Sequence, residues 1–178
     1  MYLPTFLGPP QIVALVVLAQ RGLEELHSQR NTRRLMAQGA HEAGRGFYPV
    51  VAAAHLAWIA AIFFLIPPAA PVVWPVAALY LLLQPARYWI IGTLGPYWTH
   101  RIIVLDGAAV VRRGPYRFVR HPNYAVTIAE TFLLPLAFGA WPLALAATAV
   151  WVPVVVWKMM LEERALAPRR RLPASGGA

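Results

Sequence analysis

The residues best suited to chemistry lie in one basic stretch, Arg113-Gly-Pro-Tyr-Arg-Phe-Val-Arg-His-Pro-Asn-Tyr124, and in an acidic pair further along, Glu162-Glu163. Gly114-Pro115 reads as a turn. Pro122-Asn123 reads as the opening of a helix, with its free N–H groups and positive dipole end. Arg117 and Arg120 stand just before that opening, and His121 can donate or accept a hydrogen bond. Together these suit the binding of a carboxylate or phosphate. On composition alone, an ordinary basic loop ahead of a proline-started helix accounts for the same residues.

The surrounding sequence must place this stretch at a membrane surface. Of the 178 residues, 59% are hydrophobic and 13% charged, too apolar for a nucleic-acid-binding domain despite a net charge of +9. Cysteine is absent, which excludes disulfides, thiolate chemistry and zinc–cysteine sites. A spanning helix needs about 20 mostly apolar residues, and five runs approach or reach that. They extend from about Pro9 to Leu26, Tyr48 to Ile66, Pro71 to Ile91, about Asn123 to Phe138, and Trp141 to Met160. Prolines stand at or near several starts, where a missing N–H costs little, and Pro75, Pro135 and Pro153 are expected inside spans. The predicted fold is all-α and polytopic, a single domain over residues 1–166 with a basic, disordered tail over 167–178.

The connections Pro67 to Ala70 and Gly139-Ala140 are short and uncharged, whereas Leu26 to Phe47 and Gly92 to Pro122 are long and basic. With five spans, all 16 Lys and Arg residues fall on, or at the edge of, one side. That side is expected to be cytoplasmic, with the N-terminus outside and the C-terminus inside. Three polar residues share a depth within the spans. Glu130 stands in the fourth run, His55 in the second and Gln84 in the third, each about 10 Å below the cytoplasmic boundary at 1.5 Å per residue. An acid in a span faces a cavity and has a partner, so these three are expected to form a polar layer. Interhelical hydrogen bonding is the alternative role for each. Arg87 is either a site cation or a snorkelling anchor.

The segment GPYRFVRHPNY, followed by Glu162-Glu163-Arg-Ala-Leu166, resembles the isoprenylcysteine carboxyl methyltransferase family, membrane enzymes that use S-adenosylmethionine. Arg30-Asn31, Gly44, Tyr48-Pro49, His55, and Arg87-Tyr-Trp-Ile through Leu94-Gly-Pro-Tyr-Trp98 look like a bacterial branch that includes alkylpyrone O-methyltransferases. The resemblance implies that Tyr116, His121, Pro122, Asn123, Tyr124 and Glu162 contact the cofactor, joined by Val111; Arg120, by its charge beside the helix start, is expected to face the cofactor's carboxylate. Lys158 stands where the family has an acceptor-contacting arginine; it keeps the charge but not the planar fork. The family's histidine before the turn is missing, where this chain has Ala108-Ala-Val-Val111.

Methyl transfer from a sulfonium needs mainly positioning and electrostatics. A hydroxypyrone or carboxylic acid is already anionic near neutral pH, so a cation such as Arg87 or Lys158 would orient it, with Gln84 beside it. For a phenol or amine, His55 paired with Glu130 is the expected base. The implied partners are a lipophilic small-molecule acceptor and membrane lipids but no nucleic acid or metal, in a bacterial inner membrane; self-association into a homo-oligomer is left open. The rival reading is an NADPH-dependent membrane reductase, since some sterol reductases carry a similar Arg-His-Pro-Asn-Tyr segment. A third is a small non-enzymatic scaffold or channel subunit, which would not need the paired motifs.

Overall fold

The computed structural model describes residues 6–108 and 110–167; the expected tail lies, from residue 168 on, outside the described residues. Each of the five apolar runs forms a helix: α1 (Pro9–Ala37), α2 (Tyr48–Leu65), α3 (Trp74–Leu94), α4 (Pro122–Leu136) and α5 (Trp141–Leu166). All five carry proline in the first two positions, where the lost N–H is one that helix geometry leaves unpaired anyway. Pro75 belongs to this group, in the first turn of α3 rather than inside a span as expected, while Pro85, Pro135 and Pro153 are interior.

Two helices, α2 and α5, are long and apolar enough to cross a membrane, with mean hydropathy of 1.9 and 1.8 over their best windows. Only 17% of each window is buried, which separates them from the core helix of a soluble protein. Large apolar side chains such as Phe64, Leu81, Leu82, Trp141 and Val150 face outward. That much exposed apolar surface suits lipid better than water.

Helix α1 runs on to Ala37, past the expected end at Leu26. Its buried positions Ala14, Val17, Glu24, Ser28, Asn31 and Leu35 recur at near-helical spacing. The stripe is apolar near the N-terminus and polar beyond it. At the first end, Gln11 donates through Nε2 to Phe63 O at 2.9 Å and Ile66 O at 2.8 Å, tying α1 to the end of α2. Val73 N donates to Ala137 O at 2.8 Å, joining the two short connections. A core of Ala14, Val17, Trp58, Ile62, Tyr80, Leu134 and Phe138 packs nearby.

The opposite end gathers the long connections, and there a short two-stranded ribbon is added to the helical fold. Strand β1 (His41–Ala43) pairs antiparallel with β2 (Ile102–Val104), Glu42 opposite Ile103. The β-branched run Ile102-Ile103-Val104 favours extended backbone, and both linkers emerge at the same end. The Arg101 guanidinium clamps the pair, 3.1 Å from the Glu42 carboxylate and 4.7 Å above the Tyr48 ring centroid.

Candidate active site

The two sequence motifs meet at this end. Gly114 has φ +54°, and a Cβ built on it would lie 2.7 Å from Thr93 Oγ1, so only glycine lets the turn Gly114–Arg117 settle on α3. Beyond the turn, His121 caps α4 and its ring stacks on Tyr124 with centroids 5.4 Å apart. His121 Nε2 lies 2.6 Å from Glu163 Oε1, and the Tyr124 hydroxyl donates to Glu162 Oε2. One turn before Glu162, Lys158 donates through Nζ to His100 O at 2.9 Å, 5.4 Å from the Tyr124 ring centroid. Burial, and secondarily the Glu162 carboxylate, pushes the Tyr116 phenol above its usual value, so it stays a neutral hydrogen-bond donor.

A cavity of about 140 Å³ opens between these groups. Its walls include Val111, Tyr116, Arg120, His121, Asn123, Tyr124 and Glu162, with Trp98 and Arg101 opposite. Pro122 sits behind this wall, buried as the first residue of α4. The cavity continues into a groove of about 540 Å³ that shares Val110, Val111, Tyr116 and Arg120 and adds Arg112 and Arg117. The Asn123 Oδ1 is buried without a hydrogen-bond partner among the described residues.

A second cavity, about 280 Å³, lies on the other side of Asn123, Tyr124 and Lys158, which line both. Val51, Leu56, Ile59, Trp151 and Val155 make its apolar walls; Tyr48, His55, Arg87 and His100 are among its polar ones. Leu18 and Leu56 belong to this lining and are also exposed, so the cavity reaches the outer surface of the helices.

The expected polar layer forms in part. Glu130 is not among the lining residues; its carboxylate is held by three donors. Arg21 reaches it at 3.2 Å, Arg87 at 3.2 Å and Gln84 at 2.9 Å. Glu24 completes the cluster, taking Arg87 through Nε at 2.7 Å and Nη2 at 2.5 Å, and Arg21 at 2.8 Å. Gln84 also accepts from Gln20 at 3.0 Å and, like Glu130, stands outside the cavity lining. His55 is separate: its ring lies edge-on to Trp58 and Trp151, with centroids 5.6 and 4.8 Å away. The expected His55–Glu130 pair is therefore not made, and Arg87 lines the second cavity already paired to two carboxylates. Two opposite charges on each side cancel within this buried quartet, which is the arrangement that makes buried charge tolerable.

Of the residues that build this end, sequence reasoning singled out Asn31, through the Arg30-Asn31 pair, but not Glu24, Ser28, Glu25 or His100. Glu24 and Arg21 were legible as charges on the continuation of the α1 stripe. Ser28 and Asn31 lie on the same stripe and hold the loop over the cavities: Ser28 Oγ accepts from His100 N at 2.8 Å, and Asn31 donates to Gly95 O and Trp98 O at 3.0 and 2.8 Å. Glu25 and His100 pair across 75 residues, Oε2 to Nδ1 at 2.7 Å, with no motif to announce them.

Residues 76–168 match the isoprenylcysteine carboxyl methyltransferase (ICMT) family. A Bacillus subtilis (strain 168) protein, "Uncharacterized protein YpbQ", is 34% identical over 134 residues, covering 73% of this chain and 80% of that protein. No solved structure gives a significant match. The chain belongs to the ICMT family, which makes it a membrane protein of a methyltransferase family whose enzymes use S-adenosylmethionine. The first cavity and its groove fit that cofactor: a carboxylate for an ammonium or ribose hydroxyl, cations and a helix start for a carboxylate, and the orphaned Asn123 oxygen for an amino group.

Proposed function

We propose that this protein transfers a methyl group from S-adenosylmethionine to an oxygen, hydroxyl or carboxylate, of a lipophilic acceptor such as an alkylpyrone. In this reading the five helices span a bacterial inner membrane, with the N-terminus outside and the site at the cytoplasmic face. The observation that carries the proposal is the pair of cavities that share Asn123, Tyr124 and Lys158 as lining residues. One is lined by the family's motifs, and the other is largely apolar and open toward the helix exterior.

Bound in the first cavity, the cofactor supplies a methyl group already activated as a sulfonium. Glu162, fixed by Tyr124, would hold the ammonium or ribose, and Arg120 with the α4 start would meet the carboxylate. The Tyr116 and Tyr124 rings, both in the cavity wall, would supply a cation–π attraction for a sulfonium, about 2 kcal/mol when desolvated. Lys158, on the dividing wall, orients an acceptor oxygen toward the methyl carbon. Alignment of this kind supplies much of the acceleration in a transfer between pre-bound partners.

S-adenosylhomocysteine is expected to raise the melting temperature of the detergent-solubilised protein, and NADPH to leave it unchanged; the reverse would replace a methyltransferase with a reductase. Labelled methyl transfer into a lipid extract then identifies the product. The cysteine-free chain also permits a topology test. Arg33→Cys should be labelled by an impermeant maleimide only from the cytoplasmic side, and Ala140→Cys only from outside.

A further inference from the structure

The second cavity contains a paired base that the family motifs do not include. His100 Nδ1 lies 2.7 Å from Glu25 Oε2, and both residues line the cavity. The Glu25 carboxylate accepts two more hydrogen bonds, from Gln29 Nε2 at 2.9 Å and from the Tyr48 hydroxyl. So burdened, it is an acceptor only, which places the imidazole proton on Nδ1 and leaves Nε2 with a free lone pair. Nε2 has no hydrogen-bond partner among the described residues. The backbone on both sides of the ring is fixed: His100 N donates to Ser28 Oγ at 2.8 Å and His100 O accepts from Lys158 Nζ at 2.9 Å. Trp98 packs edge-on against the ring at 4.7 Å. The chain neighbours Thr99 and Arg101 line the cofactor-side cavity, so His100 sits beside the dividing wall.

We infer that His100, oriented by Glu25, is the general base of this site, and that it equips the enzyme for acceptors with an un-ionised hydroxyl such as a phenol or weakly acidic enol. The inference rests on the methyltransferase reading. The acceptor O–H proton passes to His100 Nε2, and an oxygen electron pair forms the new C–O bond to the methyl carbon. The C–S bond breaks with its electrons left on sulfur, giving a neutral thioether. The imidazolium then returns its proton to water. Carboxylate and histidine act here as an orienting acceptor and a base. Glu25 is the positioning residue, since its part in the transfer runs through its hydrogen bond to the His100 ring.

The charged and titratable groups around the ring are Glu25 and Arg21 on α1, Tyr48 and His55 on α2, Lys158 on α5 and the adjacent Arg101. Burial holds the imidazole below its ordinary value, against the Glu25 hydrogen bond, which raises it. His100 is therefore neutral and able to accept a proton at pH 7, and loses that capacity on acidification.

The test compares three acceptors with the same dodecyl chain: a phenol, a hydroxypyrone and a carboxylic acid. His100→Gln should lower turnover of the phenol about 100-fold, within the range for a lost general base, and leave the already ionised carboxylic acid within about threefold. Glu25→Gln should move the acid limb of the phenol pH–rate profile to lower pH. S-adenosylhomocysteine stabilisation of each variant verifies folding. A second measurement needs no cofactor. A dodecyl nitrophenol bound to the wild type should ionise at lower pH, read from phenolate absorbance, than when bound to His100→Gln. Equal losses on phenol and carboxylic acid, or no loss on either, would overturn the base assignment while leaving the methyltransferase reading intact. If the wild type neither binds S-adenosylhomocysteine nor methylates any acceptor, the methyltransferase reading fails. The nitrophenol titration then still decides whether His100 draws a proton from a bound hydroxyl.

Discussion

Glu130 is the residue whose replacement most sharply separates a structural from a chemical role. Glu130→Gln keeps the shape but leaves two arginines, Arg21 and Arg87, against the single carboxylate Glu24. Arg87 retains its two-pronged contact with Glu24 and Arg21 retains one nitrogen on it. One buried positive charge is nevertheless uncompensated, and breaking a buried pair in this way costs about 3–5 kcal/mol. The surviving contacts put this case near 3. At about 3 °C per kcal/mol for a chain this long, the melting temperature should fall by about 10 °C. A companion variant bounds the argument. Arg21 already has a buried Nε with no partner among the described residues, so adding Arg21→Met to Glu130→Gln restores neutrality and removes that orphan. The double variant should be more stable than the additive sum by about 1–3 kcal/mol, as expected within one network. Thermal scanning in detergent gives both numbers, and turnover per folded molecule is measured in parallel. A Glu130→Gln protein as stable as the wild type but catalytically dead would refute the reasoning and return Glu130 to the chemistry.

Three further outcomes follow from the site. Gly114→Ala places a methyl 2.7 Å from Thr93 Oγ1 at a backbone φ of +54°, so S-adenosylhomocysteine affinity should drop at least about tenfold by calorimetry; adding Thr93→Ala should recover part of it. Glu162→Gln removes a charged partner worth about 1.5–3 kcal/mol, which predicts a roughly tenfold to hundredfold weaker S-adenosylhomocysteine with unchanged helical circular dichroism. The Tyr116 phenol is raised in the fold, so its contribution to stability is intact below the ordinary value near 10 and is lost as pH rises beyond it. Comparing alkaline unfolding of the wild type with Tyr116→Phe isolates that contribution, and identical alkaline limbs would refute it.

The helices were legible because apolar runs, proline starts and uncharged turns all point the same way. The end of α1 was not, since its stripe changes from Ala14 and Val17 to Ser28 and Asn31, and a reading of hydrophobicity stops where the packing does not. The β1–β2 pair joins residues about 60 positions apart, Ala43 opposite Ile102 through His41 opposite Val104, and three-residue strands leave little periodic signal. Within the candidate site, local order located the cavity wall from Tyr116 to Tyr124, because those residues are contiguous and helix-starting. Shared depth correctly placed Gln84 beside Glu130 but could not see that His55 faces another way around α2, toward Trp151. Glu25 and His100 were invisible for a related reason: each is unremarkable in its own segment, and only the fold makes them neighbours.

The exposed rim of the second cavity, at Leu18 and Leu56, has a consequence for how this enzyme must be measured. An acceptor that arrives through that rim is delivered from a two-dimensional reservoir. Its effective concentration is then a mole fraction in the bilayer, while the cofactor's remains a molarity in water. Diluting the acceptor with inert phospholipid at constant total volume should slow the reaction, and diluting the vesicles with buffer at fixed cofactor molarity should leave the rate per enzyme unchanged. Apparent Michaelis constants obtained in different detergents or lipid ratios would then differ without any change in the protein.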